Sequence, residues 1–248
     1  MESLPLAVMN ASYSDLAKMI DHSLLNPVMT QTDFVNGLKL ARAFDVASVC
    51  IMPYAVPLCA EMLAGSTVKV STVIGFPHGG HTHVIKVKEA EQALADGCEE
   101  LDMVVNISQV LTGNYDYVAA EIRDICAVTH AVGQKLKVIF ENAYLNEAQK
   151  IRLCEICGEI GVDWVKTSTG YAPTGATTED LVLMRKHSPA HVQVKAAGGV
   201  RTLDRLLEVR ELGVSRCGAS ATAGILNEAR ERLGMEQIDV DSEGPAGY

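Results

Sequence analysis

Eight short β-rich runs recur along the chain, at 19–25, 46–52, 69–76, 100–106, 136–142, 162–169, 192–199 and 215–220. Segments with helical spacing separate them, such as Val84, Val87, Ala90 and Leu94, or Leu153, Ile156, Cys157 and Ile160. Gly97, Gly161 and Gly213 stand where helices need a left-handed C-terminal cap. Strands that alternate with helices must pair in parallel through crossover connections. Eight such units in 248 residues predict an α/β chain folded as one (β/α)₈ barrel, the TIM-barrel architecture. The rival is an open doubly wound sheet, but no strand is followed by a G-x-G-x-x-G turn. A single domain is expected over 1–248, with a polar, flexible tail over 234–248 that is acidic, carries Gly and Pro, and lacks an apolar period.

A chain that is 48% hydrophobic and 21% charged can build such a core without disulfide or metal staples. Its net charge of −10 argues against a nucleic-acid surface, which needs a basic stripe. That charge leaves room for a small anion held by backbone amides and a local cation. No apolar run is long enough to span a bilayer, and "MESLPLAVMN" lacks the basic start and apolar stretch of a secretory signal. Seven scattered cysteines fit a reducing cytoplasm better than a disulfide framework.

In a parallel barrel, chemistry gathers at the C-terminal ends of the strands. Those ends carry Asp21, Cys50, His78, Asp102, Asn106, Glu141, Lys166 and Lys195. The two lysines interrupt otherwise apolar or small-residue strands, the sixth and the seventh. Burial disfavours an ammonium, and a second ammonium nearby depresses its pKa further. A neutral amine is what a Schiff-base nucleophile requires. Asp102 is placed to keep Lys195 charged, which would separate the roles of the two lysines. One inward lysine alone is equally accounted for by a core salt bridge to Asp102 or Glu141. Two are harder to explain so, because burying both without function costs several kcal/mol.

The turns "TSTG" (167–170), "AGGVR" (197–201) and "CGAS" (217–220) follow the last three strands. Their glycines let backbone N–H groups approach an anion, with Arg201 and Ser220 at hand. Phosphate binding at this end of the barrel is the expectation.

"IDHSLLNP", "IGFPHG", "ELDMVVN", "VKTSTGY" and "VKAAGGVRT" occur in that order. With them the chain resembles the deoxyribose-phosphate aldolases, class I (Schiff-base) aldolases, from about Ile20 to Ser220. The resemblance implies a TIM barrel that reversibly cleaves 2-deoxy-D-ribose 5-phosphate to D-glyceraldehyde 3-phosphate and acetaldehyde, with no cofactor and no metal. Its partners would be phosphorylated sugars and aldehydes rather than nucleic acid or membrane. Lys166 then matches the imine-forming lysine, Lys195 the second lysine that perturbs it and relays protons, and Asp102 the catalytic aspartate. Asp21 matches an acidic residue near the substrate. Phosphate contacts carry over to Gly170, Gly198, Gly199, Arg201, Gly218 and Ser220. The family often ends in a tyrosine that enters the site to help proton transfer, which implicates Tyr248. Two departures stand out: Tyr171 where some members have lysine, and Ala221 where some have a second serine. The hydroxyls and glycine after Lys166 are expected to line the cavity.

Another lysine-dependent aldolase, acting on a different sugar or keto-acid phosphate, would need the same amine. A catalytically dead barrel used for binding would have little reason to keep both lysines and Asp102. His78, His81 and His83 have a suggestive spacing but no accompanying metallohydrolase set, so His78 is expected at the mouth and the others in solvent. Cys154 and Cys157 are expected on the apolar face of a helix. A homodimer through the outer helices is compatible with a barrel, though no sequence feature specifies one.

Overall fold

All eight predicted runs become strands, and in the computed structural model, which describes residues 10–240, they close in chain order into a parallel barrel. The strands are β1 Ile20–Leu24, β2 Ser48–Ile51, β3 Lys69–Ile74, β4 Glu100–Val104, β5 Lys135–Ile139, β6 Trp164–Lys166, β7 Gln193–Ala197 and β8 Arg216–Ala219. β1 pairs with both β2 and β8, so no strand edge is left open. The crossovers are carried by α2 Gln31–Ala43, α3 Val56–Leu63, α4 His83–Ala95, α5 Ile107–Thr112 with α6 Tyr115–Ala131, α7 Glu147–Ile160, α8 Thr178–His187 and α9 Leu203–Glu211. A short α1, Tyr13–Ala17, precedes the barrel, and α10, Thr222–Arg232, follows β8.

Local chemistry fixes these boundaries. α2 opens on a capping box in which the Thr30 hydroxyl accepts from Asp33 N while the Asp33 carboxylate accepts from Thr30 N. Asn146 and Gln149 do the same for α7, which ends on left-handed Gly161. The main apolar cluster lies between the outward strand residues and the inner helix faces, and includes Leu101, Met103, Val138, Phe140 and Val165.

Two local expectations need correcting. β6 stops at Lys166, although an eight-residue run was predicted. The Thr167 hydroxyl donates to Ala197 O and accepts from Ala197 N, at 3.2 and 3.1 Å, so a side chain takes over the ladder there. In α4 the buried face is Lys86, Ala90 and Ala93, while Val84 is exposed. A lysine holds that core position because its ammonium is satisfied twice, by Glu121 at 2.9 Å and by Val104 O at 2.8 Å.

Residues 234–240 form neither helix nor strand. Ile238 N donates to Asn227 Oδ1, and Asn227 Nδ2 donates back to Ile238 O, which ties this segment to α10. Tyr248 lies outside the described residues.

Candidate active site

Lys166 and Lys195 are register partners on neighbouring strands, and the parallel pleat sends both side chains to the barrel interior. Their Nζ atoms each donate to the same oxygen of Asp102, Oδ2, at 2.7 Å. Asp102 reaches them from β4, and its other oxygen accepts from Lys137 of β5 at 2.8 Å. Lys195 also pairs with Asp21 of β1 at 2.5 Å. Asp21 is bound by Arg216 of β8 as well, and Lys137 by Glu100 at 2.7 Å. Sequence reasoning therefore named four members of a larger buried cluster.

Burial sets the electrostatics and the partners then divide the groups. Burial lowers the pKa of Lys166; Asp102 offsets part of this, and the Lys195 charge lowers it again. Burial works against the Lys195 ammonium too, but Asp102 and Asp21 outweigh it and its pKa rises. Asp102 is fully buried, yet Lys137, Lys166 and Lys195 hold it well below the ordinary aspartate range. Two lysines side by side are thus pushed in opposite directions. Lys166 is the one poised to be an amine.

Above the cluster opens a cavity of about 460 Å³, lined by Lys166, Lys195, Asp21 and Cys50 at its charged end. Its other walls include all six residues expected to meet a phosphate: Gly170, Gly198, Gly199, Arg201, Gly218 and Ser220. Gly198 and Gly199 have φ of 78° and 93°, a region that only glycine enters freely. Ala221, at the N-terminus of α10, contributes no side-chain cap, so none of that helix's leading N–H groups is taken by one. Asp102 lies beneath the cavity, fully buried, and is absent from its lining.

The hydroxyls after Lys166 divide their tasks, which the sequence reading did not foresee. Thr169 and Gly170 line the cavity as expected. Thr167 and Ser168 are fully buried and absent from its lining. Thr169 is oriented by Glu141, whose carboxylate accepts from its hydroxyl and from its N–H, the latter at 3.2 Å. Glu141 itself has a left-handed backbone, φ 58°, unusual for a residue with a Cβ. Tyr171 donates its hydroxyl to Leu25 O at 2.7 Å and sets its ring edge-on to Phe76, 5.5 Å between centroids. Leu25 belongs to the cavity wall, so Tyr171 clasps the loop after β6 to the loop after β1.

Among the remaining candidates, Cys50 reaches the cavity with a thiol whose pKa is raised by burial and by Asp102. Cys154 and Cys157 are buried in the core as expected, the former pushed up by burial to about 11. His78 and His81 are exposed, whereas half-buried His83 pairs with Asp124 at 3.0 Å instead of standing in solvent.

Lys137, Glu100 and Arg216 were missed. Glu100 had a readable signal, since it lies two residues before Asp102 and so shares its inward face. The wall segment Ala172–Gly175 was missed as well.

Similarity to known proteins agrees with this arrangement. A profile described as DeoC/LacD family aldolase matches residues 16–226. A deoxyribose-phosphate aldolase of Rhodopirellula baltica is 64% identical over 236 residues, covering 95% of this chain and 98% of that one. One from Thermococcus gammatolerans is 45% identical over 218 residues, 87% of this chain and 97% of the relative. Among solved structures, the tetrameric deoxyribose phosphate aldolase of Aeropyrum pernix superposes with a TM-score of 0.83 at 27% identity, over 94% of this chain and 100% of that one. An aldolase designated QR15 gives 0.84 at 37% identity, over 90% and 99%.

Proposed function

The chain belongs to the DeoC/LacD family of aldolases, and from that membership we propose that it is a deoxyribose-phosphate aldolase working through an imine on Lys166. It is a lyase that reversibly cleaves 2-deoxy-D-ribose 5-phosphate to D-glyceraldehyde 3-phosphate and acetaldehyde. The observation that carries the site assignment is the shared oxygen of Asp102, which leaves one lysine depressed and its neighbour charged.

In the cleavage direction, the neutral Lys166 amine adds to the C1 aldehyde of the open-chain sugar and water leaves, giving the imine. Loss of the C3 hydroxyl proton then breaks the C2–C3 bond. Its electron pair moves into the imine, which is protonated on nitrogen, leaving a neutral enamine on Lys166 and releasing glyceraldehyde 3-phosphate. Protonation of the enamine carbon and hydrolysis return acetaldehyde and the amine. Lys195 and Asp102, hydrogen-bonded to each other, are the groups placed to move protons beside Lys166. Gly170, Gly198, Gly199, Gly218, Arg201 and Ser220 receive the phosphate, with N–H groups and the Arg201 charge as donors. Asp21 holds Lys195 in place from the cavity floor and faces the sugar. Tyr248 serves as a further proton carrier at the enamine carbon. Its deletion should slow solvent exchange of the acetaldehyde methyl protons and leave imine trapping intact.

All seven cysteines are free and buried, which supports a reducing compartment such as the cytoplasm. Reduction with borohydride in the presence of acetaldehyde tests the central claim. The peptide containing Lys166 should gain an ethyl group; labelling on Lys195, or none, would overturn the assignment.

A further inference from the structure

The ionic cluster extends below the cavity to residues that no substrate can touch. Among the described residues, its ion-paired members are three carboxylates, Asp21, Glu100 and Asp102, and four basic groups, Lys137, Lys166, Lys195 and Arg216. Glu100 and Arg216 bond each other at the lower end. The Trp164 ring covers that end, 5.2 Å from the Arg216 guanidinium and 5.7 Å from the Lys137 ammonium. Neither Glu100 nor Arg216 lines the cavity.

A buried cluster with an excess charge is costly, because water is not there to solvate the surplus. Three carboxylates match three cations, so a fourth cation is in excess. We propose that Glu100 and Arg216 are positioning residues for the aldol chemistry, completing a buried charge balance that is met only when Lys166 is an uncharged amine. Lys166 is the member that yields because, among the described residues, Asp102 alone pairs with it, whereas Lys195 has two carboxylates and Lys137 and Arg216 each contact at least two. The pKa directions agree: Lys137, Lys195 and Arg216 are raised and Lys166 is lowered. Other titratable groups near Lys166 are Cys50 of β2, kept protonated by burial, and Glu141 above it, bonded to Thr169 with its pKa raised by burial. β3 brings no charge inward, with Ser71, Thr72 and Val73 buried there.

This inference rests on Lys166 being the imine-forming amine. Its signature is a pair of opposite shifts. Glu100→Gln removes a negative charge and should lower the Lys166 pKa, moving the acid limb of imine formation to lower pH. Arg216→Gln removes a positive charge and should move that limb to higher pH. Each shift should be about one pH unit, the scale of one charge acting across a protein interior. The double variant restores the balance and should return to the wild-type midpoint, and Arg216→Lys should keep it. Each single variant leaves the remaining ions paired: without Arg216, Asp21 keeps Lys195 and Glu100 keeps Lys137.

The measurement is reductive ethylation of Lys166 by acetaldehyde and cyanoborohydride across pH, read by mass spectrometry of the labelled peptide, with circular dichroism confirming the fold. Opposite shifts that cancel in the double variant support the proposal. Unmoved midpoints, or two shifts of the same sign, overturn it. If Arg216→Gln does not fold, the double variant must still titrate above Glu100→Gln, and equality of the two overturns the proposal. Wild-type label found away from Lys166 would instead refute the functional reading beneath it.

Discussion

Lys166 and Lys195 meet on a single carboxylate oxygen, Asp102 Oδ2, at 2.7 Å each, although Asp102 is 64 and 93 residues away from them in sequence. That relationship ties reactivity to the charge state of Lys195. In Lys195→Leu the like charge is gone and Asp102 has one fewer cation to share, so the Lys166 pKa rises. Activity at neutral pH should fall by about 10²–10⁴-fold, the usual weight of such a group. The acid limb of the kcat/KM profile should move to higher pH, with part of the loss recovered in alkali. A profile of unchanged shape would contradict this.

Asp102→Asn should reduce both turnover and stability. It leaves Lys137, Lys166 and Lys195 facing a neutral amide, and breaking a buried ionic set by removing one partner typically costs about 3–5 kcal/mol. Since Asp102 titrates well below the ordinary aspartate range when folded, its contribution is complete above the unfolded value of about 4. That contribution is lost as pH falls toward the folded value. Urea denaturation should therefore separate the variant from wild type most at neutral pH, with the gap narrowing in strong acid.

Ser220→Asp places a like charge at the expected phosphate wall. The KM for the phosphorylated sugar should rise about tenfold, the effect of roughly 1.4 kcal/mol of repulsion. The KM for unphosphorylated 2-deoxyribose should stay near its original value. Equal losses on both sugars would point to a damaged fold.

Tyr171→Phe removes the hydrogen bond to Leu25 O and keeps the ring packed against Phe76. A net hydrogen bond is worth about 0.5–1.5 kcal/mol, so KM should rise about two- to tenfold. The clasp spans two loops and its hydroxyl is already directed at a carbonyl, so the rise should be the same for phosphorylated and unphosphorylated sugars. A loss confined to the phosphorylated sugar would show that the Tyr171 hydroxyl serves the phosphate instead.

The lysine pair was readable because Lys166 ends an apolar strand and Lys195 interrupts another, where a charge is conspicuous and the barrel topology makes both converge. The lower half of the cluster was not, apart from the two-residue spacing that sets Glu100 on the face of Asp102. Lys137 sits in "KLK" at the start of its strand, where lysines are commonly solvated, and Lys135 indeed is, pairing with Asp163 near the surface. Arg216 and Glu100 begin their strands, far from the ends where a search for chemistry looks. Their partners are remote in sequence, so only barrel closure shows that opposite charges meet. The α4 stripe misled for a related reason: periodicity marks Val84 as inward and cannot see that Glu121 makes Lys86 the better core residue.

The cavity wall closes where Gly175 and Gly198 touch backbone to backbone. A Cβ on Gly175 would stand 2.4 Å from Gly198 O, and one on Gly198 would stand 2.8 Å from Gly175 Cα. At neither position is the obstacle a side chain that can swing aside. Substitution at either glycine must therefore move a loop before it can alter a contact, and it moves both loops at once. Directed evolution toward unphosphorylated or bulkier acceptors has no small steps available at this seam. The accessible steps lie where side chains already face the cavity, at Ser220 and Arg201, and improved variants selected from random libraries should cluster there while 175 and 198 stay glycine.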